Sequence, residues 1–285
     1  MLKIGIDIGG TTIKGALFDG AKILEEQSAP TCGGEGREAI LRQLFEVADS
    51  LQAEKASFIG VSSAGNIDPA SGRCVYATDN LKGWTGTEIV REMEERYSVA
   101  CRADNDAVCA LIGELSLREA PKDVTLLTFG TGVGGASLIN GKIVRGRHFD
   151  AARWGHFSLH PGGRVCNCGK RGCAEQYLSA TALLRTGRER DEKISSCEEL
   201  FEAFRKEAGR GAMTEVVEAF ASDLLLLLDD IITAVSPDCI LLGGGLTNAW
   251  DIFAGIGNLP SVVGRAQLGS KAGIYGASLL ETAAY

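Results

Sequence analysis

Three cysteines and two histidines lie close together in the middle of this sequence, at His156, His160, Cys166, Cys168 and Cys173. The cysteines follow the spacing C-x-C-x4-C, and thiolates combined with imidazole form a typical ligand set for tetrahedral zinc. On spacing alone, either histidine completes a Cys3His site. A site closed by four protein ligands is structural and would hold a loop that lacks its own core. The alternative is a cysteine-rich turn without metal.

The remaining cysteines favour metal binding over disulfides for this cluster. The chain has nine cysteines, an odd number, and those outside the cluster are isolated from one another. The sequence starts with a strand pattern instead of an apolar leader that ends in a small-residue cleavage site. We therefore expect a cytoplasmic protein whose thiols stay reduced.

Charge and hydropathy exclude two classes of partner. The net charge is −8, and Lys and Arg are scattered, whereas nucleic acids and anionic membranes require a basic surface. The longest apolar run, residues 224–228, is too short to cross a bilayer. We expect a small-molecule ligand, no nucleic acid and no membrane. Small anions remain compatible, because backbone N–H groups can bind them without side-chain charge.

Two segments of the chain resemble each other, "IDIGGTTIKGALFDGAKI" at 6–23 and "LTFGTGVGGASLINGKI" at 127–143. Each passes from an apolar strand through a turn rich in Gly and Thr, at 9–12 and 130–135, into a second strand. One such turn is a weak signal. Two of them, each opening an α/β region, predict duplicated halves that face one another across a cleft.

The first turn also carries an acid, and both second strands end in a hairpin signal. Asp7 lies beside the first glycine turn, where a phosphate site commonly needs Mg²⁺. The dipeptides Asp19-Gly20 and Asn140-Gly141 favour a two-residue turn with positive φ at both positions.

Hydrophobic periodicity predicts the elements that must position these residues. Helices are expected at 38–51, 86–97, 105–115 and 211–235, and another over "EQYLSATALL" from residue 175. Buried strands are expected at 58–65 and 238–246, and a polar loop at 185–196.

Five motifs follow one another along the chain: "DIGGTTIKGAL", "NDA", "TFGTGVGGASLINGKI", "GH" followed by "CNCGKRGCAE", and "ILLGGGL". With them, the sequence resembles the ROK family of repressors and sugar kinases from residue 4 to about residue 281. The resemblance implies an α/β protein of the actin-like ATPase (ribonuclease H-like) fold, with two domains around a cleft and a zinc-binding loop at 156–173.

The resemblance also sets expectations for domains and assembly. The first domain would cover 1–117 and the larger one 118–272, with a C-terminal helix at about 273–285 packing back on the first. Family repressors carry a DNA-binding segment before the first strand, and this sequence begins at that strand, so we expect a kinase. Such kinases are commonly homodimers.

The three glycine turns match the nucleotide-binding motifs of the family. By resemblance, the first turn would bind the ATP phosphates and Mg²⁺, the second would bind phosphates from the other domain, and the third would lie against adenosine. The matching residues are Asp7, Gly9, Gly10, Thr11, Thr12 and Lys14 in the first turn, Gly130, Thr131, Gly132 and Gly134 in the second, and Gly243, Gly244 and Gly245 in the third.

The resemblance assigns roles on the sugar side as well. Asp106 matches the general base, because a carboxylate at a helix start can accept the hydroxyl proton. Without the resemblance, an acid there merely complements the helix dipole. Asn105 would bind sugar hydroxyls through its amide. The "GH" match favours His156 over His160 as the zinc ligand. The other sugar-side matches are Gly65, Asn80, Arg153, His156 and Glu175.

Arg153 departs from the family pattern, which has glutamate three residues before the histidine. Arginine has five donors and no acceptor, so it cannot replace a carboxylate that accepts from hydroxyls. Arg153 could bind a carboxylate, phosphate or acyl oxygen of the substrate, pair with Glu175 beside a different neutral sugar, point to solvent on a shifted loop, or mark a degenerate kinase.

We expect an altered but active kinase that phosphorylates a hexose or N-acetylhexosamine at O6. The alternative is a catalytically impaired regulatory protein that binds sugar or nucleotide. A third possibility is an ATPase without a sugar acceptor.

Overall fold

The structure, a computed structural model, describes residues 1–118 and 123–283. Within these residues the strands are Leu2–Ile8 (β1), Thr12–Asp19 (β2), Lys22–Pro30 (β3), Phe58–Ser63 (β4), Asn66–Asp68 (β5), Arg73–Tyr76 (β6), Cys101–Asn105 (β7), Val124–Phe129 (β8), Val133–Ile139 (β9), Lys142–Ile143 (β10), Cys239–Gly243 (β11) and Val263–Arg265 (β12). The α-helices are Arg37–Ser50 (α1), Ile89–Tyr97 (α2), Asp106–Leu115 (α3), Glu175–Leu178 (α4), Ala180–Arg190 (α5), Cys197–Glu207 (α6), Ala212–Val235 (α7), Trp250–Ala254 (α8) and Ala272–Leu279 (α9).

The two large sheets share one topology. The first has the order β3-β2-β1-β4-β7 and the second the order β10-β9-β8-β11-β12. In each, an antiparallel pair, β1-β2 or β8-β9, is followed by parallel strands. This repetition agrees with the internal similarity between segments 6–23 and 127–143.

Two local predictions near residues 175–196 were wrong. The expected loop at 185–196 is helical up to Arg190, because Leu183 and Gly187 of α5 are buried and outweigh the polar residues around them. The expected continuous helix from residue 175 is broken at Ser179, which leaves the helical conformation and caps α5 by accepting from the Ala182 amide. Burial against the rest of the unit decides the first case, and a local side-chain cap decides the second.

The described chain separates into two compact units. Among the described residues, the first comprises 1–118, 142–151 and 270–283, and the second 123–141 and 152–269. Segment 142–151 therefore belongs to the first unit, whereas the sequence-based boundaries placed it in the second domain. The predicted C-terminal helix is shorter than expected, since α9 ends at Leu279. The end of that prediction, residues 284–285, lies outside the described residues.

Helix α9 packs closely on the sheet of the first unit. A Cβ on Gly60 would lie 1.8 Å from the carbonyl oxygen of Ala277, and a Cβ on Gly5 would lie 2.1 Å from that of Ile274. On its other side, a Cβ on Gly276 would lie 1.6 Å from the Cys109 carbonyl oxygen of α3. Only glycine permits such close backbone approach. The chain's C-terminal helix is thus part of the first unit's core.

The core of the second unit lies between its sheet and α7. Within the apolar run at 224–228, Leu224, Leu227 and Leu228 are fully buried, whereas Leu226 faces outward and is 52% exposed. Phe220 of α7 contacts Phe129 at the end of β8, with ring centroids 6.5 Å apart. Within the described residues, no helix is both long and apolar enough to cross a membrane.

The two hairpin signals have different outcomes. Asn140 and Gly141 both have positive φ, as the Asn-Gly signal predicts. In the other hairpin Asp19 pairs with Lys22, so the loop residues are Gly20 and Ala21, and only Gly20 has positive φ. That turn is therefore shifted by one residue from the prediction.

Candidate active site

Three parallel strands of the first unit end in polar residues that lie side by side. Asp7 of β1 is in register with Ser62 of β4, and Ser62 is in register with Asp104 of β7. Parallel strands present their carboxyl ends at one edge of the sheet, where α/β proteins bind ligands. The sequence-predicted residues that meet at this edge are Asp7, Gly65, Asn105 and Asp106.

Asp7 lies in a confined environment. Burial raises the pKa of its carboxyl group, whereas the Ser62 hydroxyl, which donates to it, and the nearby Lys14 ammonium act in the opposite direction. Gly273 in the first turn of α9 approaches so closely that a Cβ there would lie 2.7 Å from the carboxyl carbon. A carboxylate next to the first glycine turn is a suitable oxygen ligand for Mg²⁺.

The turn after Asp7 leaves backbone amides exposed. The Gly9 amide donates to the Thr12 carbonyl oxygen at 3.1 Å, and the Thr31 hydroxyl donates to the Gly9 carbonyl oxygen at 2.7 Å. Among the described residues, the amides of Gly10 and Thr11 have no hydrogen-bond acceptor, and both residues are exposed. Amides of this kind can bind phosphate oxygens.

Asn105 organises the start of α3 and orients Asp106. Its Oδ1 caps the helix by accepting from the amides of Ala107 and Val108, as expected for an N-cap residue. Its Nδ2 donates to the Gly65 carbonyl oxygen and to Asp106 Oδ1, both at 2.8 Å. Asp106 Oδ1 also accepts from the Ala107 amide at 2.8 Å. The carboxylate is therefore held at a helix N-terminus in a defined orientation.

An ion pair that sequence reasoning missed supports this edge. The buried Asp104 carboxylate accepts two hydrogen bonds from the Arg145 guanidinium, each 2.7 Å long. The same carboxylate accepts from the Asn105 amide at 2.8 Å. Arg145 lies in segment 142–151, which the Asn66 side chain also contacts by donating to the His148 carbonyl oxygen. The sequence indicated only an acid before Asn105; its partner is 41 positions away.

In the second unit, two of the predicted glycine turns follow neighbouring parallel strands. Gly243 at the end of β11 is in register with Thr128 of β8, so the third turn lies next to the turn that follows β8. Gly244 has a φ of +84° and contacts the Phe129 backbone, since a Cβ there would lie 2.5 Å from it. The predicted residues that this arrangement gathers are Gly130, Thr131, Gly132, Gly134, Gly243, Gly244 and Gly245.

Glu175 at the start of α4 contacts the turn after β8. Its Oε2 accepts from the Val133 amide at 3.1 Å, and a Cβ on Gly132 would lie 2.2 Å from the same oxygen. Its Oε1 faces the Cys166 sulfur at 3.9 Å. Burial raises the pKa of Glu175, while the Val133 amide and the Arg153 charge lower it. Glu175 thus connects a glycine turn to the cysteine cluster.

His156 and the three clustered cysteines form a group that can hold a metal ion. Their ligand atoms all lie within 4.8 Å of one another. The sulfurs of Cys168 and Cys173 are 3.6 Å apart, and Cys166 Sγ is 3.7 Å from His156 Nδ1. Metal–sulfur bonds of about 2.3 Å separate two tetrahedral thiolates by roughly 3.8 Å. The Cys168–Cys173 and Cys166–His156 distances are close to this value, and all four ligand atoms lie near enough to one another to surround one zinc ion.

The protonation of these ligands also suits a cation. Burial, with the charges of Arg153 and Lys170, lowers the pKa of His156 to about 4, so its imidazole is neutral at pH 7. Burial and the neighbouring thiols raise the pKa of Cys173 to about 12. Despite its own burial, Cys168 has a lowered pKa, because the Lys170 amide and the other cysteines donate to it. Three crowded thiols ionise together only with a metal cation.

His160, the other candidate on spacing, points elsewhere. Its Nε2 lies 2.7 Å from the Asp223 carboxylate of α7, and its ring packs on Tyr177. The carbonyl oxygen of His160 also accepts from the Gly163 amide. His160 therefore fastens the cysteine loop to α7, and the metal-binding group contains His156.

Arg153 precedes the short 3-10 turn that carries His156. Trp154 in this turn is buried, and its indole N–H donates to the Ser137 hydroxyl at 3.0 Å. Arg153 is half-buried, and within the described residues its guanidinium forms no hydrogen bond or ion pair. The structure thus leaves five donors at this position without a protein acceptor.

Asn80 is the predicted sugar-side residue with the least support. It lies on the 3-10 turn Asp79–Leu81 and is exposed. Its backbone packs on Gly33, and its side chain forms no hydrogen bond to the described residues. The structure does not bring it into the hydrogen-bond network around Asn105.

Comparison with known proteins agrees with this arrangement. The ROK family model matches residues 3–283. The chain is 30% identical over 272 residues to a glucokinase from Thermotoga maritima, covering 88% of this chain and 84% of that protein. It is 27% identical to an N-acetyl-D-glucosamine kinase from Pasteurella multocida, covering 98% and 99% of the two chains.

Solved structures show the same fold. A ROK family glucokinase from Streptomyces griseus, in complex with glucose and AMPPNP, superposes with a TM-score of 0.83 at 27% identity, covering 98% of this chain and 99% of that one. The expected actin-like ATPase fold with mixed α/β sheets is therefore confirmed.

Proposed function

Because this chain belongs to the ROK family, we propose that it is an ATP-dependent carbohydrate kinase. It transfers the γ-phosphoryl group of Mg-ATP to a hydroxyl of a hexose or N-acetylhexosamine, with O6 as the acceptor. The observation that supports this proposal is the edge of the first sheet. There Asp7 near the end of β1 and the Asn105–Asp106 pair at the end of β7 lie on either side of β4.

Asp106 is the proposed general base. Its Oδ1 is held by the Asn105 side chain and the Ala107 amide, which fixes the direction in which the carboxylate faces a substrate. The carboxylate accepts the proton of the sugar hydroxyl as that oxygen bonds to phosphorus. Phosphoryl transfer depends mainly on alignment and charge neutralisation, and a fixed carboxylate serves alignment.

The phosphate groups would be held by the glycine turns. Asp7 would help to hold Mg²⁺, which neutralises phosphate charge when bound. The exposed amides of Gly10 and Thr11 are suited to phosphate oxygens, and we assign Thr12 and Lys14 to the same site. In the second unit the turn at 130–134 has the same role, and Gly243–Gly245 contact the adenosine.

We assign the sugar hydroxyls to a set of polar residues. Asn105 and Glu175 offer polar atoms beside the glycine turns, and Gly65 offers a backbone fixed by Asn105. Arg153, His156 and Asn80 complete the proposed sugar side. We also propose one structural zinc ion on His156, Cys166, Cys168 and Cys173, a homodimer and a cytoplasmic location. The regulatory alternative is not favoured, because the relatives reported above are named as a glucokinase and an N-acetyl-D-glucosamine kinase.

Asp106→Asn tests the assignment of the base. Asparagine keeps an oxygen for the Asn105 and Ala107 donors but cannot take a proton, so we expect kcat to fall by about 10²- to 10⁴-fold. The KM for the sugar and the melting temperature should stay near wild type. Asp19→Asn, at an exposed hairpin end, is the matched control.

The measurement is ADP release from Mg-ATP across a panel of neutral and N-acetylated hexoses. ADP release that depends on a sugar supports a kinase, whereas equal release without any sugar indicates an ATPase. If Asp106→Asn retains kcat within tenfold of wild type, Asp106 is not the base.

A further inference from the structure

Arg153 differs from other arginines in residues 145–185. Arg164 and Arg185 both donate to the Gln176 carbonyl oxygen, and Arg145 is paired with Asp104. Arg147 forms no such bond but is exposed, so water satisfies its donors. Arg153 is half-buried and, in the described part of the chain, has no hydrogen-bond acceptor. A guanidinium partly withdrawn from water favours a bound anion over none.

The backbone around Arg153 is held firmly. Its carbonyl oxygen accepts from the His156 amide at 2.9 Å, and the next residue, Trp154, is buried and bonded to Ser137. Gly155 packs so tightly that a Cβ there would lie 1.9 Å from the Val133 carbonyl oxygen. The preceding Ala152 has a φ of +55°, a strained value for alanine. The Arg153 side chain therefore extends from a firmly held segment of backbone.

Glu175 does not neutralise Arg153 by direct contact. The Arg153 charge acts on Glu175, but the two side chains form no ion pair in this structure. Glu175 has other partners, since its Oε2 accepts from the Val133 amide and its Oε1 faces the Cys166 thiol. The guanidinium and the carboxylate thus stand near each other as separate recognition groups.

These two groups select complementary chemistry. A planar guanidinium binds carboxylate or phosphate through two parallel hydrogen bonds, whereas a carboxylate accepts from hydroxyls. We propose that the acceptor sugar carries an anionic group, a carboxylate or a phosphate ester, that Arg153 binds. This inference rests on the proposed function, because it assigns the substrate class of the same site.

The test compares sugars that differ in charge but keep a free primary hydroxyl. Glucose is the neutral acceptor, gluconate supplies a carboxylate, and glucose 1-phosphate supplies a phosphate ester. We expect a higher kcat/KM for one of the anions than for glucose. Which anion is preferred decides whether Arg153 binds a carboxylate or a phosphate ester.

Substitutions then locate the effect. Arg153→Met removes the charge at similar length, and we expect the KM for the preferred anion to rise roughly tenfold to a hundredfold while the KM for glucose hardly changes. Arg153→Lys should restore part of the loss, because lysine keeps the charge but not the paired donors. Arg147→Met, in an exposed position of the same region, is the control. A wild type that prefers glucose, or an equal loss for all three sugars in Arg153→Met, overturns the proposal.

Binding measurements separate this proposal from the kinase assignment. Calorimetric titration of wild type and Arg153→Met with gluconate and glucose 1-phosphate needs no turnover. Binding of an anion to wild type that the variant loses, without ADP release, supports the Arg153 site while refuting the kinase. Absence of binding to wild type refutes the Arg153 site whatever the activity.

Discussion

Arg145→Met should destabilise the first unit and slow the reaction, because it leaves the Asp104 carboxylate without its charged partner. Asp104 has a side-chain exposure of only 3%, and Arg145 supplies two of its hydrogen bonds at 2.7 Å. After the substitution, the described residues offer Asp104 only the Asn105 amide. A buried carboxylate in this state is poorly solvated.

The expected loss of stability in Arg145→Met follows from the burial of the Asp104–Arg145 ion pair. Breaking a buried ion pair by removing one partner costs about 3–5 kcal/mol. The Arg145 side chain is 23% exposed, so water can reach the vacated space, and we expect a loss near the lower end, about 3 kcal/mol. For a unit of this size that corresponds to a fall of roughly 6–12 °C in the melting temperature.

A double-mutant cycle checks this reasoning. Asp104→Leu combined with Arg145→Met replaces the pair by apolar side chains and should regain much of the stability, since no unpaired charge remains. Unfolding in urea can be followed by the fluorescence of Trp84, which is buried in the first unit. Arg147→Met is the matched control for the same change at an exposed site.

The activity readout distinguishes positioning from mere stability. Asp104 also holds the Asn105 amide, so a displaced Asp104 should misalign Asp106 and lower kcat more than it raises the KM for ATP. Arg145→Lys should restore part of both properties. A stability loss below about 1 kcal/mol in Arg145→Met, or strictly additive effects in the cycle, would refute the role assigned to the pair.

Two other perturbations have definite expected outcomes. Burial raises the pKa of Asp7 in the folded protein, so its ionisation opposes folding: stability falls as pH rises from the unfolded value of 3.8 through the raised folded value. Asp7→Asn should therefore raise the melting temperature of the ligand-free protein at pH 7 and abolish turnover, as calorimetry and ADP release would show; an unchanged or lower melting temperature contradicts the electrostatic argument. Removal of metal by a chelator should lower the melting transition of the second unit, and Cys168→Ser should do the same without chelator, because three crowded thiols lose their shared cation. Metal analysis should find one zinc ion per chain in wild type, and a chelator-insensitive transition would exclude a structural metal.

Local sequence was sufficient wherever a feature depends on neighbours along the chain. Apolar periodicity predicts a helix over 105–115, and Asn105 caps α3 through its own side chain. The Asn140-Gly141 turn follows from the conformational freedom of those two residues. The spacing of the three cysteines is equally local, because a short loop brings its own residues together.

Contacts between segments that are distant in the chain could not be predicted from local sequence. The sequence offered His156 and His160 equally on spacing, and the choice depends on Asp223 of α7, which pairs with His160. Arg145 reaches Asp104 only because segment 142–151 belongs to the first unit. Helix α5 extends through a polar stretch because Leu183 and Gly187 are buried in the second unit.

The sequence by itself therefore determined the Asn140-Gly141 turn, the spacing of the three cysteines and, through the order of its motifs, the family. Tertiary structure alone decided the alignment of Asp7, Ser62 and Asp104 across three strands and, among the described residues, the lack of an acceptor for Arg153. Strand register and burial arise from packing among residues far apart in the chain, and a pattern along one strand carries no information about its partner.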